Sequence, residues 1–161
     1  MTAWASAWSS SNYEMIEEMP FTPEVADYRL MDHVNDVTRT GLDLARRAAQ
    51  DWDETVDPEI LVPILILHDV DKPLLYLRER TGVAYSRLAE ELPHGVVGAM
   101  LLKDLGFHHR VVSTVALHAV NAPFHGRNRE AYLLHYADMF SADHAHMVCG
   151  KVPFYQRHSV R

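Results

Sequence analysis

The sequence predicts an all-α domain, and three observations carry that reading. Long segments repeat apolar residues with the period of a helix, several of them open or close on recognisable start and stop residues, and alternation with a period of two is confined to short stretches. At 161 residues and 48% apolar content, the chain fits one compact core. The expected architecture is a helical bundle of about five main helices with short connections, residues 1–20 forming an N-terminal arm and residues 21–161 the domain.

In the arm, Trp4 and Trp8 share a face if the segment is helical, and Tyr13, Ile16 and Met19 extend that surface. It reads as a terminal segment packed on the domain, with a lid or a dimer contact as the alternatives. Thr22-Pro23-Glu24 is a helix start, with Thr22 as N-cap, Pro23 in the first turn and Glu24 at the positive end of the dipole. From there to about Gln50, Leu30, Val34, Val37, Gly41, Leu44 and Ala48 lie on one stripe, with His33 at its border. Asp57-Pro58-Glu59 repeats the signal and opens a segment, apolar nearly all round, that runs to about Asp69 as a central buried helix. Pro63 inside it predicts a kink or a later start. Pro73 disfavours helical geometry at Lys72, so Asp71 and Lys72 are expected in a turn just past that helix.

Residues 74–92 read as a short helix over Leu74 to Leu77, a turn at Thr81-Gly82 and a second helix from Ser86 to Leu92, with no strand. Tyr76, Arg78 and Arg80 read as surface residues, with substrate contact as the alternative. His94 opens a periodic run through Val97, Gly98, Leu101, Leu102 and Leu105, closed by Gly106. Val111, Val115 and His118 align on the next helix, expected to end near Asn121-Ala122-Pro123. The last long helix runs from near Asn128 to near Gly150 and aligns Leu134, Ala137, Asp138, Ser141 and Ala145, so Asp138 points inward.

Composition excludes several functions. A formal charge of −7 without a Lys/Arg cluster argues against nucleic acid as a polymeric partner, because phosphate contacts need a basic footprint. A small anionic substrate held by a metal and one or two basic side chains remains compatible. The single cysteine, Cys149, makes neither an intramolecular disulfide nor a thiolate metal site, and a reducing cytoplasm is the expected compartment. Met1 to Asn12 carries no basic residue, so no secretory signal is expected, and no run of eighteen apolar residues suggests a membrane span.

The chemistry centres on Leu65-Ile66-Leu67-His68-Asp69-Val70-Asp71-Lys72-Pro73, where an apolar run delivers a His-Asp pair. Burying an imidazole beside a carboxylate is costly unless a cation compensates both, and a divalent metal does so most completely. His33, His68, Asp69, His94, His118 and Asp138 then form a set, one or two from each main helix at its apolar face, which is how bundles build metal centres. Lys72 falls where it can reach a ligand bound at His68-Asp69. His125 with Arg127 and Arg129 reads as lining the mouth of the site, whereas His108, His109, His135, His144, His146 and His158 have no partner set.

With that set in hand, the sequence resembles the HD-domain metal-dependent phosphohydrolases: His33, the His68-Asp69 doublet and Asp138 match the family's His, His-Asp, Asp pattern over roughly residues 28–146. His94 and His118 extend the resemblance to the dinuclear branch. It implies two divalent or transition metal ions, one held by His33, His68, Asp69 and Asp138, the other by His94 and His118, with Asp69 bridging. Paired metals of this kind can hold a bridging hydroxide and clamp a phosphoryl group. Imidazole with carboxylate and no thiolate suits iron, the first expectation, and also manganese or cobalt.

Within that branch, His94-Gly95-Val96-Val97-Gly98-Ala99, Leu105-Gly106, His118 and Ala137-Asp138 look most like the small bacterial hydrolases that split diadenosine tetraphosphate symmetrically. Lys72, three residues after the doublet's Asp, matches them too, and the resemblance implies that it neutralises phosphate charge, with Asp71 orienting Lys72 or a water. His118-Ala119-Val120-Asn121 departs from that group. The expected function is hydrolysis of a small phosphate ester or anhydride, with a nucleotide among the candidates. The alternative is an HD-type mixed-valence di-iron oxygenase cleaving a C–P or C–C bond. The phosphonate-oxidising members place a lysine and an aromatic shortly after the fourth histidine, where this chain has Asn121-Ala122-Pro123-Phe124, which favours hydrolysis. The Gly-Tyr-Pro signature of the cyclic-dinucleotide phosphodiesterases is absent near His118, and the intact ligand set argues against a non-catalytic module.

Overall fold

The computed structural model describes residues 2–120, 122 and 125–157. Helix α1 (Ala3–Trp8) is capped by Thr2, whose hydroxyl accepts from the Ala5 amide at 3.3 Å. The arm is tied down along its length: the Trp4 indole donates to the Ile66 carbonyl at 3.2 Å, and the Asn12 amide exchanges two 3.0 Å hydrogen bonds with the Arg78 backbone. Ala3 and Ala7 enter the main apolar cluster.

Helix α2 (Leu30–Trp52) starts later than Thr22 promises. Thr22 makes no capping hydrogen bond, and Pro23–Val25 is a 3-10 turn inside a tight reversal. The Phe21 amide donates to Tyr28 O at 2.7 Å and the Leu30 amide to Met19 O at 2.8 Å. These pairings close the reversal and take the Leu30 N–H that a continuous helix would have used, and they leave Phe21 stacked on His33 with ring centroids 3.8 Å apart.

Helix α3 (Pro58–Leu67) opens on Asp57, whose carboxylate accepts from the Glu59 amide at 2.9 Å, and it runs through Pro63 without a delayed start. It is the central helix, with Leu61, Ile64 and Leu65 essentially inaccessible, each such burial contributing about 1.5–3 kcal/mol. Gly41 of α2 makes this possible, because a Cβ there would overlap the Leu65 methyl groups. After the turn at residues 68–71 comes α4 (Lys72–Leu75), so Lys72 begins a helix that carries Pro73 in its first turn, where a missing N–H costs nothing.

The expectation of no strand is corrected by a hairpin of β1 (Tyr76–Glu79) and β2 (Gly82–Tyr85), antiparallel with Tyr76 opposite Tyr85. Four-residue strands are too short to show an alternating pattern. Helix α5 (Arg87–Glu91) follows, capped by Ser86, then α6 (Val96–Asp104) and α7 (His109–Ala116). Helix α7 ends before His118, which therefore sits on the segment beyond it rather than on its face. Helix α8 (Arg129–Val148) is capped by Asn128, whose side-chain oxygen accepts from the Ala131 amide at 2.7 Å, and α9 (Phe154–Arg157) closes the described chain.

Among the described residues, five helices reach eight residues or more, namely α2, α3, α6, α7 and α8. Their inner faces form one cluster around Val37, Leu65, Leu102, Val115 and Leu134, and α2 packs along α8. No helix among the described residues is long and apolar enough to cross a membrane.

Candidate metal centre

His33 of α2, His68 at the end of α3 and Asp138 of α8 offer ligand atoms that all lie within 4.8 Å of one another. His33 Nε2 is 3.2 Å from His68 Nε2, 3.2 Å from Asp138 Oδ1 and 3.3 Å from Asp69 Oδ2. Both histidines are aimed from behind: His68 Nδ1 donates to Leu65 O at 2.9 Å, and His33 Nδ1 meets Ser141 Oγ at 3.1 Å. Ser141 is one turn beyond Asp138 on the same face of α8, so a single helix supplies a donor and a support.

Asp69, His94 and His118 form a second group of the same tightness. Asp69 spans the two. Its Oδ2 faces His33 and His68, while its Oδ1 is 3.0 Å from His94 Nε2 and 3.7 Å from His118 Nε2. His118 is oriented by Val115 O, which accepts from Nδ1 at 2.7 Å. His94 is oriented by Asp71, whose Oδ1 lies 3.0 Å from its Nδ1. Asp71 Oδ2 also accepts from the Gly95 amide at 2.7 Å and the Gly98 amide at 3.3 Å at the start of α6. Gly95 is required here: its φ is +87°, and a Cβ would come within 2.6 Å of Val115 O.

The donors fit divalent ions on three counts. Ligand atoms about 2.1 Å from a common ion lie about 3.0–3.4 Å from each other, which matches the spacings around His33 Nε2. The Nδ1 atoms of His68 and His118 give their protons to carbonyls, so in the neutral rings the Nε2 lone pairs face inward; His118 Nε2 is buried with no hydrogen-bond partner among the described residues. Finally, Asp69, Asp71 and Asp138 bring three carboxylates against the single ammonium of Lys72, which sits 2.6 Å from Asp69 Oδ2.

That imbalance shifts the three carboxyls and the imidazoles of His33, His68 and His94. Burial alone would push the carboxyls up. Lys72 and His68 outweigh it at Asp69, His94 at Asp71 and His33 at Asp138, so all three end below the ordinary carboxylate range. Burial drives the His33 imidazole down to about 4 against the pull of Asp138 and Asp69. At His94 burial is overcome by Asp71 and Asp69, and its pKa rises to about 10. His68 also moves up, because Asp69 and Asp138 offset its burial.

A cavity of about 490 Å³ opens beside the donors and includes Lys72. Lys72 is buried, with its Nζ 3.8 Å from the centroid of Phe21. Of the basic groups expected at the mouth, Arg127 and Arg129 line a different cavity of about 350 Å³ with Trp52 and Tyr132, and His125 packs near His135 instead. Asp71 is turned to His94 and α6 rather than to Lys72. The surface role favoured for Tyr76 gives way to a buried place on the cavity wall, where the hairpin sets it, and sequence reasoning missed the supporting role of Ser141, already on the Asp138 face. Asn121, Pro123, Phe124 and His158 lie outside the described residues.

A mostly helical bundle that converges imidazoles and carboxylates on one buried point has the build of a metal-centre domain. The particular family follows: the HD domain model matches residues 30–143, and the chain belongs to that family. A curated relative, the dihydroneopterin 2',3'-cyclic phosphate phosphodiesterase of Methanocaldococcus jannaschii, is 28% identical over 110 residues, covering 68% of this chain and 44% of the relative. The match therefore spans less than half of that relative's length. No solved structure matches the chain.

Proposed function

We propose that this protein is a metal-dependent phosphohydrolase that holds two divalent ions and cuts a small phosphate ester or anhydride. The observation that carries the reading is Asp69, whose two oxygens face two separate donor groups while Lys72 sits against it at the cavity edge. Membership in the HD family and a relative that is a phosphodiesterase support phosphoryl chemistry.

In this reading His33, His68 and Asp138 hold one ion, His94 and His118 the other, and Asp69 is shared. The bound ions supply Lewis acidity, which activates water and offsets charge on phosphorus oxygens. The chain's own part is positional and electrostatic. Ser141, Leu65 O, Asp71 and Val115 O fix the four imidazoles, so the donors are pre-set rather than gathered on binding. Lys72 brings the one ammonium that neutralises substrate charge at the buried end. Iron is the first choice for the ions, with manganese or cobalt next, given imidazole and carboxylate donors without thiolate.

The test is to purify the protein without added metal, count ions per chain, and measure phosphate release from nucleotides and aryl phosphates with manganese, cobalt or iron. Release that depends on metal and is abolished in Asp69→Ala is expected. Two irons giving a mixed-valence signal perturbed by a phosphonate or polyol, with no phosphate released, would overturn the hydrolase in favour of the oxygenase.

A further inference from the structure

The walls of the cavity narrow the substrate class, an inference that rests on the hydrolase reading above. Among the described residues lining it, every charged or imidazole side chain belongs to the metal centre or is Lys72, and there is no arginine. Lys72 is already engaged with Asp69 at 2.6 Å. One phosphate group, facing the ions and this ammonium, is matched. A chain of phosphates would carry further negative charges along a wall whose described residues offer no cation beyond the metal centre and Lys72, at a steep desolvation cost.

Apart from the Thr22 hydroxyl, the remaining described wall is mainly aromatic and apolar, with Phe21, Leu75, Tyr76, Tyr85 and Leu92 among its residues. Tyr76 and Tyr85 are cross-strand partners whose rings meet edge to face with centroids 5.5 Å apart. Tyr85 is pinned at its hydroxyl, which donates to Glu24 Oε1 at 2.9 Å, yet the residue stays 49% exposed. A ring fixed at its tip and open at its side is a stacking platform for a flat group. Glu24 beside it puts negative charge at that end, which disfavours a second phosphate there.

We propose that the site takes a compact ester with a single phosphate group, held at the Asp69–Lys72 end, and one flat, uncharged aromatic group laid against Tyr85. Polyphosphate dinucleotides fall outside this class.

The probes are phenylphosphonate and methylphosphonate, whose C–P bond water does not cut, titrated by calorimetry into the manganese-loaded protein. Phosphate release from phenyl phosphate and diadenosine tetraphosphate is followed in parallel. The phenyl compound is expected to bind about tenfold tighter than the methyl one, the size of a single aromatic stacking contact. That ratio should fall toward one in Tyr85→Ser and hold in Tyr132→Ser, which alters the other cavity. A ratio near one in the unaltered protein, a ratio indifferent to Tyr85→Ser, or faster cutting of diadenosine tetraphosphate than of phenyl phosphate would overturn the proposal. If the ratio holds but no ester is cut with any metal, the recognition stands and the hydrolase reading falls. If esters are cut without the ratio, the reverse is true.

Discussion

Replacing Asp71 by asparagine tests how the second donor group is built. Asp71 is fully buried and serves two sites at once, with one oxygen toward His94 Nδ1 at 3.0 Å and the other accepting from the Gly95 and Gly98 amides. Asparagine keeps one acceptor and nearly the same volume, so it can still hold the start of α6, but it presents either a weaker acceptor or an amide donor to His94. Two effects then oppose each other. Loss of the carboxylate lowers the His94 pKa from its raised value, so less proton must be displaced when an ion binds. Loss of the fixed carboxylate also frees the ring and lowers its basicity, and removal of such a support costs about 10–100-fold in metal affinity. Orientation should win, because His94 is 27% exposed on its side chain and Asp71 is the one group among the described residues that faces its Nδ1, leaving only the Asp69 contact at Nε2, the atom an ion would take. Ions counted after desalting should fall from two per chain toward one, with the His33 group still loaded. Circular dichroism on the same samples reports folding, and Asp71→Ala, which leaves both amides unpaired, should be the less stable of the two variants. Retention of both ions at undiminished affinity by a folded Asp71→Asn protein would refute the argument.

Four other outcomes follow from the geometry. In chelator-treated protein, His33 folds neutral with its pKa near 4 against 6.5 in the unfolded chain, so its contribution is complete above pH 6.5 and lost as the pH falls through 4. His94 folds charged with its pKa near 10, so its contribution is complete below 6.5 and lost as the pH rises through 10. The melting temperature of the ion-free protein should therefore peak near pH 6.5 and the alkaline decline should vanish on metal loading, a pattern that differential scanning calorimetry checks. Lys72→Met removes the ammonium beside Asp69, and breaking a buried pair costs about 3–5 kcal/mol; chemical denaturation should show a much smaller loss in the metal-loaded form, where an ion takes over the compensation. Gly95→Ala forces a Cβ against Val115 O and strains a positive φ, so it should cost about 1–3 kcal/mol and weaken the His94–His118 group, seen as one ion lost in the same count. Gly41→Ala drives a methyl into Leu65 and should destabilise the fold by about 1–3 kcal/mol, with Leu65 O shifting and His68 losing its fixed tautomer in NMR spectra of the ion-free protein.

The helices were legible because their signals are local. Asp57-Pro58, Asn128 and Ser86 cap where their spacing says they should, and the long stripe of α2 and the Asp138 face of α8 follow from period alone. Thr22 misleads because the Met19–Leu30 and Phe21–Tyr28 backbone pairings close a reversal around it, and Met19 O takes the Leu30 N–H that a helix from Thr22 would have given to Ala26. His118 aligns with Val115 by period, yet its Nδ1 bonds to Val115 O from just past the helix end. The face was legible there and the element was not.

The same division separates the metal centre from the substrate wall. A metal donor needs a lone pair at one point, and any helix face aimed inward supplies it, so His33, His68 and Asp138 stand out in a sequence once two others are found. A cavity wall needs a surface, and here it is assembled from Phe21 in an irregular reversal, Tyr76 and Tyr85 in four-residue strands, and Leu92 beyond a five-residue helix. None of these has a period long enough to read, and each is set by packing against the arm or the hairpin: Asn12 holds Arg78 and Glu24 holds Tyr85. Substitutions in those short segments can therefore re-shape the substrate end while the donor geometry stays put. That separation makes the Tyr85→Ser comparison informative, because the altered ring lies on an element that supplies no metal donor.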